Sequence, residues 1–209
     1  AIGNWALPEV MLIYGLSIFS RSLFHLFWVA LMNTSAMIKA GDIDRLLARP
    51  LNPLYQLVAG YLDNDHWGEL LTAIILVWTS LGMLGQRTVA NVLWCLVASV
   101  SGSIIFASIH LVCNATAFFT VESGGMSQLA WTMDEFTRYP ADIYGKRVQA
   151  IITWVIPVAF ASFHPAQVIL GEGRLRRLGL LSPVAAMTCF ALAYWFWCRA
   201  MDKYQGVGN

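Results

Sequence analysis

Charged and titratable side chains are scarce in this chain and fall in a few places. Arg21 and His25 lie four residues apart inside the apolar run LPEVMLIYGLSIFSRSLFHLFWVAL. On a helix that spacing puts both on one face. Charge facing lipid is costly, so this face must look at protein or water. Two readings fit: the pair lines a substrate path, or it is a buried polar pair satisfied by a neighbouring helix. A second group is Asp134, Glu135 and Arg138 in MDEFTRYP, at a membrane boundary, with i,i+3/i+4 spacing for ion pairing. It reads as a gate or interface network, or as a solvated helix face.

Other chemistries find less support. Ser101-Gly102-Ser103 precedes His110 on one apolar run, a superficial nucleophile and base. Residues seven or nine apart on one helix sit two or more turns apart, outside the hydrogen-bond reach such a pair needs. His110 and Cys113 share a face at i,i+3, but two ligands alone do not make a metal site. Cys95, Cys113, Cys189 and Cys198 form no CxxC pair and read as small packing residues. The phosphate-cradling pattern GxxxxGK[ST] is absent, and Gly145-Lys146 follows no apolar strand. The chain is therefore expected to be no enzyme and to hold no cofactor or metal of its own. Any ATP and Mg used must sit on another subunit.

The elements that position these residues follow from hydropathy. The chain is 58% hydrophobic and 12% charged, about half the charge of a soluble domain. Its mean hydropathy is +0.61. The deficit falls in blocks, as in a membrane protein. A net charge of +1 argues against a nucleic-acid partner. Nine Trp and seven Tyr suit a chain with many membrane–water boundaries.

The predicted spans are 7–31, 67–85, 89–119 and 178–198, with a further apolar run over 148–170 that Pro157 and Pro165 interrupt. Pro8 and Glu9 suit the start of the first. The third exceeds one crossing and carries small residues from Ala98 to Ser108 that let helices approach closely. Between them, 122–147 is polar. This is one all-α transmembrane domain, 1–209, with five visible crossings. Eight Lys and Arg in the segments 32–66, 122–147 and 199–209 face four at Arg87, Arg174, Arg176 and Arg177. The majority side, with the C-terminus, is expected to be cytoplasmic.

On that side lies GDIDRLLARPLNP, 41–53. Asp42 is a good N-cap, and Ile43, Leu46 and Leu47 repeat as one apolar stripe. Pro50 stops the helix, and Pro53 keeps the following segment from resuming at once. Asp44, Arg45 and Arg49 occupy its other sides. About two turns are too few to stand alone, so a docking surface must hold this helix. It reads as a helix lying on the membrane or as a plug in a groove on a cytoplasmic partner. Its mixed charge disfavours simple lipid binding.

GDIDRLLARPLNPLYQL resembles the cytoplasmic segment of ABC-2 type permeases, in particular the group with the signature G-x-[LI]-D-x-x-L-x-R-P-x-x-P. AFFTVES, EFTRYPADIY, the run 157–160 and Pro165-Ala166 before Leu170-Gly171 continue the resemblance in family order over nearly the whole chain. The resemblance implies the membrane subunit of a bacterial ABC exporter in the plasma (inner) membrane, multi-pass, with six helices per protomer. It implies as partners two ABC ATPase subunits and a second permease protomer, identical or a sister, besides membrane lipids. The family's coupling helix falls on Asp42, Ile43, Asp44, Arg45, Leu46, Leu47, Arg49 and Pro50, within 41–50. Related exporters carry a re-entrant hairpin before the last span. Here 148–170 is either that hairpin, with 125–139 as the fifth crossing, or itself a span. With five crossings visible, a preceding helix is expected. A non-transporting membrane anchor or scaffold is the alternative function.

Overall fold

The computed structural model describes residues 5–61, 63, 65–119, 124–171 and 173–203. Helix α1 (Leu7–Trp28) starts with Pro8 in its first turn, and the Glu9 carboxylate accepts the Ala6 N–H at 2.7 Å. Proline and the returning acid both satisfy a helix start that has orphan donors. A 3-10 turn (Val29–Asn33) carries the chain into α2 (Thr34–Ala40), which ends at Gly41 with φ +74°. Only glycine adopts that left-handed end without strain.

Helix α3 (Asp42–Leu47) follows at once and has six residues, shorter than expected. Gly41, not Asp42, holds the N-cap position, and no side chain caps this helix. Asp42 instead opens the first turn and pairs with Arg45 at 3.3 Å. Pro53, expected to delay the next helix, is the first residue of α4 (Pro53–Ala59), where its missing N–H costs nothing. Asn52 Oδ1 caps α4 by accepting the Leu54 and Tyr55 N–H groups at 3.0 and 3.2 Å.

Trp67 and Gly68 join α5 (Trp67–Met83). After a turn at Gly85 (φ +67°), Thr88 Oγ1 accepts the Asn91 N–H and opens α6 (Val89–Ala115). Among the described residues three stretches are long and apolar enough to cross a membrane: Leu7–Ile38, Val89–Phe118 and the last helix, with α5 shorter at 17 residues. At 1.5 Å per residue α5 covers about 25 Å. The chain is thus an all-α integral membrane bundle.

The polar segment forms α7 (Gly124–Glu135) and two 3-10 turns, Phe136–Arg138 and Ala141–Ile143. The run 148–170 is not one helix. It divides into α8 (Lys146–Ala150), a wide turn Ile151–Val155, a 3-10 turn Val158–Ala161 and α9 (Phe163–Leu170). Pro157 offers no N–H to continue the ladder, which is why the helix gives way there. A short helix α10 (Gly173–Leu180) precedes α11 (Ser182–Met201). Leu178, expected to begin the last span, therefore belongs to α10. The Leu181 N–H bonds to Leu178 O at 3.0 Å and Ser182 Oγ to Gly179 O at 2.6 Å, which closes α10 before α11 starts.

Helix α1 packs between α5 and α6, and α6 packs along α11. Ser80 Oγ donates to Pro8 O at 3.1 Å, so α5 ends where α1 begins. Phe118 stacks edge-on against Trp197 at 5.0 Å, so α6 and α11 end together. One core cluster surrounds Phe24, Leu31, Ile43, Leu54, Phe106, Leu111 and Trp197, toward the α3 end. Another gathers Leu12, Leu16, Val77, Leu81, Ala98, Val158 and Phe163, toward the opposite end.

The stretch 124–142 runs between those ends. Ser127 Oγ donates to Asn114 Oδ1 near the end of α6, while Asp142 accepts from the Trp5 indole at 2.9 Å, just before α1. Lys146 and Arg147 follow Asp142, away from Arg45 and Arg49. The expected Lys/Arg excess on the α3 side therefore disappears, because charge counting assigned 122–147 to one side as a block.

Candidate functional site

Helix α7 meets α1 and α6 through polar side chains. Asn114 Nδ2 donates to His110 O at 2.9 Å, and His110 Nε2 lies 3.1 Å from Asp134 Oδ2. One turn on, Thr137 Oγ1 donates to Asp134 O at 2.7 Å. With that hydrogen committed, Ser17 Oγ donates to Thr137 Oγ1 at 2.6 Å. Ser162 Oγ donates to Thr137 O at 2.6 Å, and Ser20 Oγ to Ala161 O at 3.1 Å. The result is a buried polar spine joining α1, α6, α7 and the segment before α9. Low-dielectric surroundings strengthen each of these bonds and make each unpaired group costly.

The spine needs close backbones. A Cβ at Gly102 would overlap Ser20 and come within 2.8 Å of Ala161 O. Glycine there lets α6 approach α1 and the Ala161 carbonyl together.

Arg21 and His25 do share a side of α1, but each has a different partner. Arg21 Nε donates to Glu69 Oε1 at 2.9 Å, and Nη2 approaches the same oxygen. That ion pair ties α1 to the first turn of α5. His25 is buried and stacks on His66, with ring centroids 4.1 Å apart and planes 4° apart. Its further ring neighbours are Phe24 at 5.4 Å and Trp131 of α7 at 5.6 Å. His66 in turn faces Asp63 at 3.2 Å.

The acidic pair in MDEFTRYP separates. Glu135 forms the expected i,i+3 ion pair with Arg138 at 2.7 Å, partly exposed. Asp134 turns the other way, with 4% of its side chain exposed, onto His110. Two adjacent helical residues point about 100° apart, so one can be solvated while the other is buried. His110, which the sequence offered only as an unsupported base or metal ligand, is thus the partner of a buried carboxylate. Asp134 Oδ1 and His110 Nδ1 have no hydrogen-bond partner among the described residues.

Sequence reasoning also missed Glu69, His66 and Trp131. Glu69 carried a signal, as a lone acid in the first turn of an apolar helix, a place the helix dipole favours. The hydroxyls of Ser101 and Ser103 donate within their own helix, to Val97 O and Val100 O, each at 2.8 Å. Neither faces His110. Among the described residues, no group of three or more His, Cys, Asp or Glu converges as metal ligands would.

At the other end of the chain's chemistry stands α3. Its apolar stripe is split: Ile43 is 1% exposed inside the core, Leu46 packs against its edge, and Leu47 is 41% exposed. Gln56 Nε2 donates to Leu46 O at 3.1 Å and Leu51 O at 2.9 Å, tying the end of α3 and the following turn to α4. Asn52 Nδ2 donates to Tyr194 OH at 2.6 Å, which fastens the same turn to α11. The docking surface that a short helix requires is therefore supplied by the chain itself. Asp44, Arg45, Leu47, Arg49 and Pro50 remain exposed on the outer side.

Fold and site together define a polytopic helical membrane protein with a polar interior and an exposed charged helix at one end. Residues 1–208 match the family described as ABC-2 family transporter protein, and the chain belongs to that family. It is a permease, the membrane transport component of an ABC transporter, which associates with an ABC ATPase and is not that ATPase itself. No curated protein and no solved structure matches the chain.

Proposed function

We propose that this permease forms half of the pathway of an ATP-driven exporter, completed by a second protomer, identical or a sister. The observation that carries the reading is the outward face of α7. Gln128, Thr132 and Glu135 are exposed at i, i+4 and i+7, on a stretch that extends from one end of the bundle to the other. A polar stripe at membrane depth does not face lipid, because the hydrocarbon offers no partners. It faces a water-filled path or another protomer. In this reading 124–143 is the fifth crossing, and the broken segment 146–170 dips into the membrane and returns. The coupling role of α3, rather than the Lys/Arg count, assigns the α3 end and the C-terminus to the cytoplasmic side of the bacterial plasma membrane.

The exposed side of α3 passes movement from the ATPase to the bundle. Asp44, Arg45, Leu47 and Arg49 are the contact, and buried Ile43 carries displacement into the core beside Phe24 and Leu111.

Thiol labelling tests the pathway. In a background with Cys95, Cys113, Cys189 and Cys198 replaced, Thr132→Cys is expected to react with a water-soluble maleimide in membranes. Ile75→Cys, on the apolar outer face of α5, is expected to stay unlabelled. Equal protection of both would overturn the pathway. Coupling is tested by Asp44→Arg with Arg45→Glu, which is expected to abolish co-purification of the ATPase. A complex that keeps its ATPase activity through that change would instead favour a passive membrane anchor.

A further inference from the structure

Helix α10 carries the sequence GRLRRLGL and fits neither a membrane span nor a soluble helix. It ends one residue before α11, a helix of crossing length, so it lies at a membrane–water boundary. Its inner side is fixed tightly on α9. A Cβ at Gly179 would overlap the His164 carbonyl and lie 2.6 Å from Val168 Cγ2. That close approach orients the helix, with Gly179 buried and Leu178 half-buried.

The outer side combines opposite chemistries. Arg176 and Arg177 are exposed, and no carboxylate among the described residues pairs with either. Leu180, 50% exposed, lies at i+4 from Arg176 and i+3 from Arg177, so it projects between them. Leu181, 49% exposed, continues the apolar strip toward α11. Arginine presents a fork matched to phosphate oxygens, and its apolar stem tolerates burial beside acyl chains. A leucine held between two such forks has no use for a wholly polar ligand. It suits an amphiphile whose anionic head and apolar tail begin at the same depth.

We propose that α10 is a docking surface for anionic phospholipid, in the leaflet at the end of the bundle opposite α3. Arg176 and Arg177 hold the headgroup phosphate, and Leu180 and Leu181 enter the acyl boundary.

The test uses the full chain in lipid discs of phosphatidylcholine mixed with phosphatidylglycerol, with retained lipid read by native mass spectrometry. The wild type is expected to retain phosphatidylglycerol preferentially. Arg176→Gln with Arg177→Gln should lower that preference by on the order of tenfold or more. Arg176→Lys with Arg177→Lys keeps the charge and should keep most of the preference, which separates charge loss from misfolding. Leu180→Gln should weaken retention, and soluble glycerol phosphate should not compete. Competition by glycerol phosphate with no effect of Leu180→Gln would replace the lipid site by a free-phosphate site and overturn the proposal. An unchanged preference in the glutamine double variant, folded to the wild-type melting temperature, would also overturn it.

Discussion

His110 Nε2 and Asp134 Oδ2 meet at 3.1 Å with side chains 1% and 4% exposed, the deepest charge-capable contact among the described residues. The pair fastens α7 to α6.

Breaking this contact from one side is expected to cost more than removing it altogether. His110→Phe or Asp134→Leu alone leaves the partner's buried polar group unsatisfied, at about 1–3 kcal/mol. His110→Phe with Asp134→Leu replaces both by apolar groups and should recover much of that loss. Thermal unfolding of the four purified forms measures the coupling. Strictly additive effects would show that the contact carries no interaction energy.

Gly102→Ala is expected to destabilise the protein by about 1–3 kcal/mol through overpacking against Ser20 and Ala161 O. Gly68→Ala, where an added Cβ meets nothing within 4 Å, serves as the control on another helix. A lower melting temperature for the first and not the second is the expected result.

The split stripe of α3 gives a contrast between two leucine-sized neighbours. Ile43→Asp places a charge in the core beside Leu54 and Trp197 and should prevent accumulation of folded protein. Leu47→Asp, at an exposed position, should leave the melting temperature unchanged and weaken ATPase binding. Size-exclusion profiles and co-purification separate the two effects.

Gln56→Ala removes both bonds that hold the Leu46 and Leu51 carbonyls. Hydrogen exchange over 44–52 is expected to quicken while exchange in α6 stays unchanged. Equal rates in wild type and variant would mean that Ile43 alone secures α3.

Much of this architecture was legible in the sequence because its causes are local. Pro8 with Glu9 marked the start of α1, and the small residues around Gly102 marked a close helix contact. Glu135 and Arg138 pair as their spacing predicts. The 41–50 stretch was recognisable as a short charged helix, although Gly41 and not Asp42 holds its N-cap position. Hydropathy also located three of the long spans within a few residues at most ends. It left 148–170 open as a hairpin or a span, a stretch that the structure divides at Pro157, and it began the last span at 178, although Leu178 and Leu180 belong to α10.

The sequence by itself determined that this is an all-α membrane protein, because chain-local hydropathy and proline placement suffice for that. Only the tertiary structure decided which way each polar residue turns. Asp134 goes inward to His110 and Glu135 outward; Arg21 goes to Glu69 and His25 to His66; Ile43 is buried and Leu47 left free. Those outcomes depend on residues 24 to 48 positions away, or on helices that meet only once the bundle is packed. Spacing along a helix fixes which residues share a face. It does not fix what that face will meet.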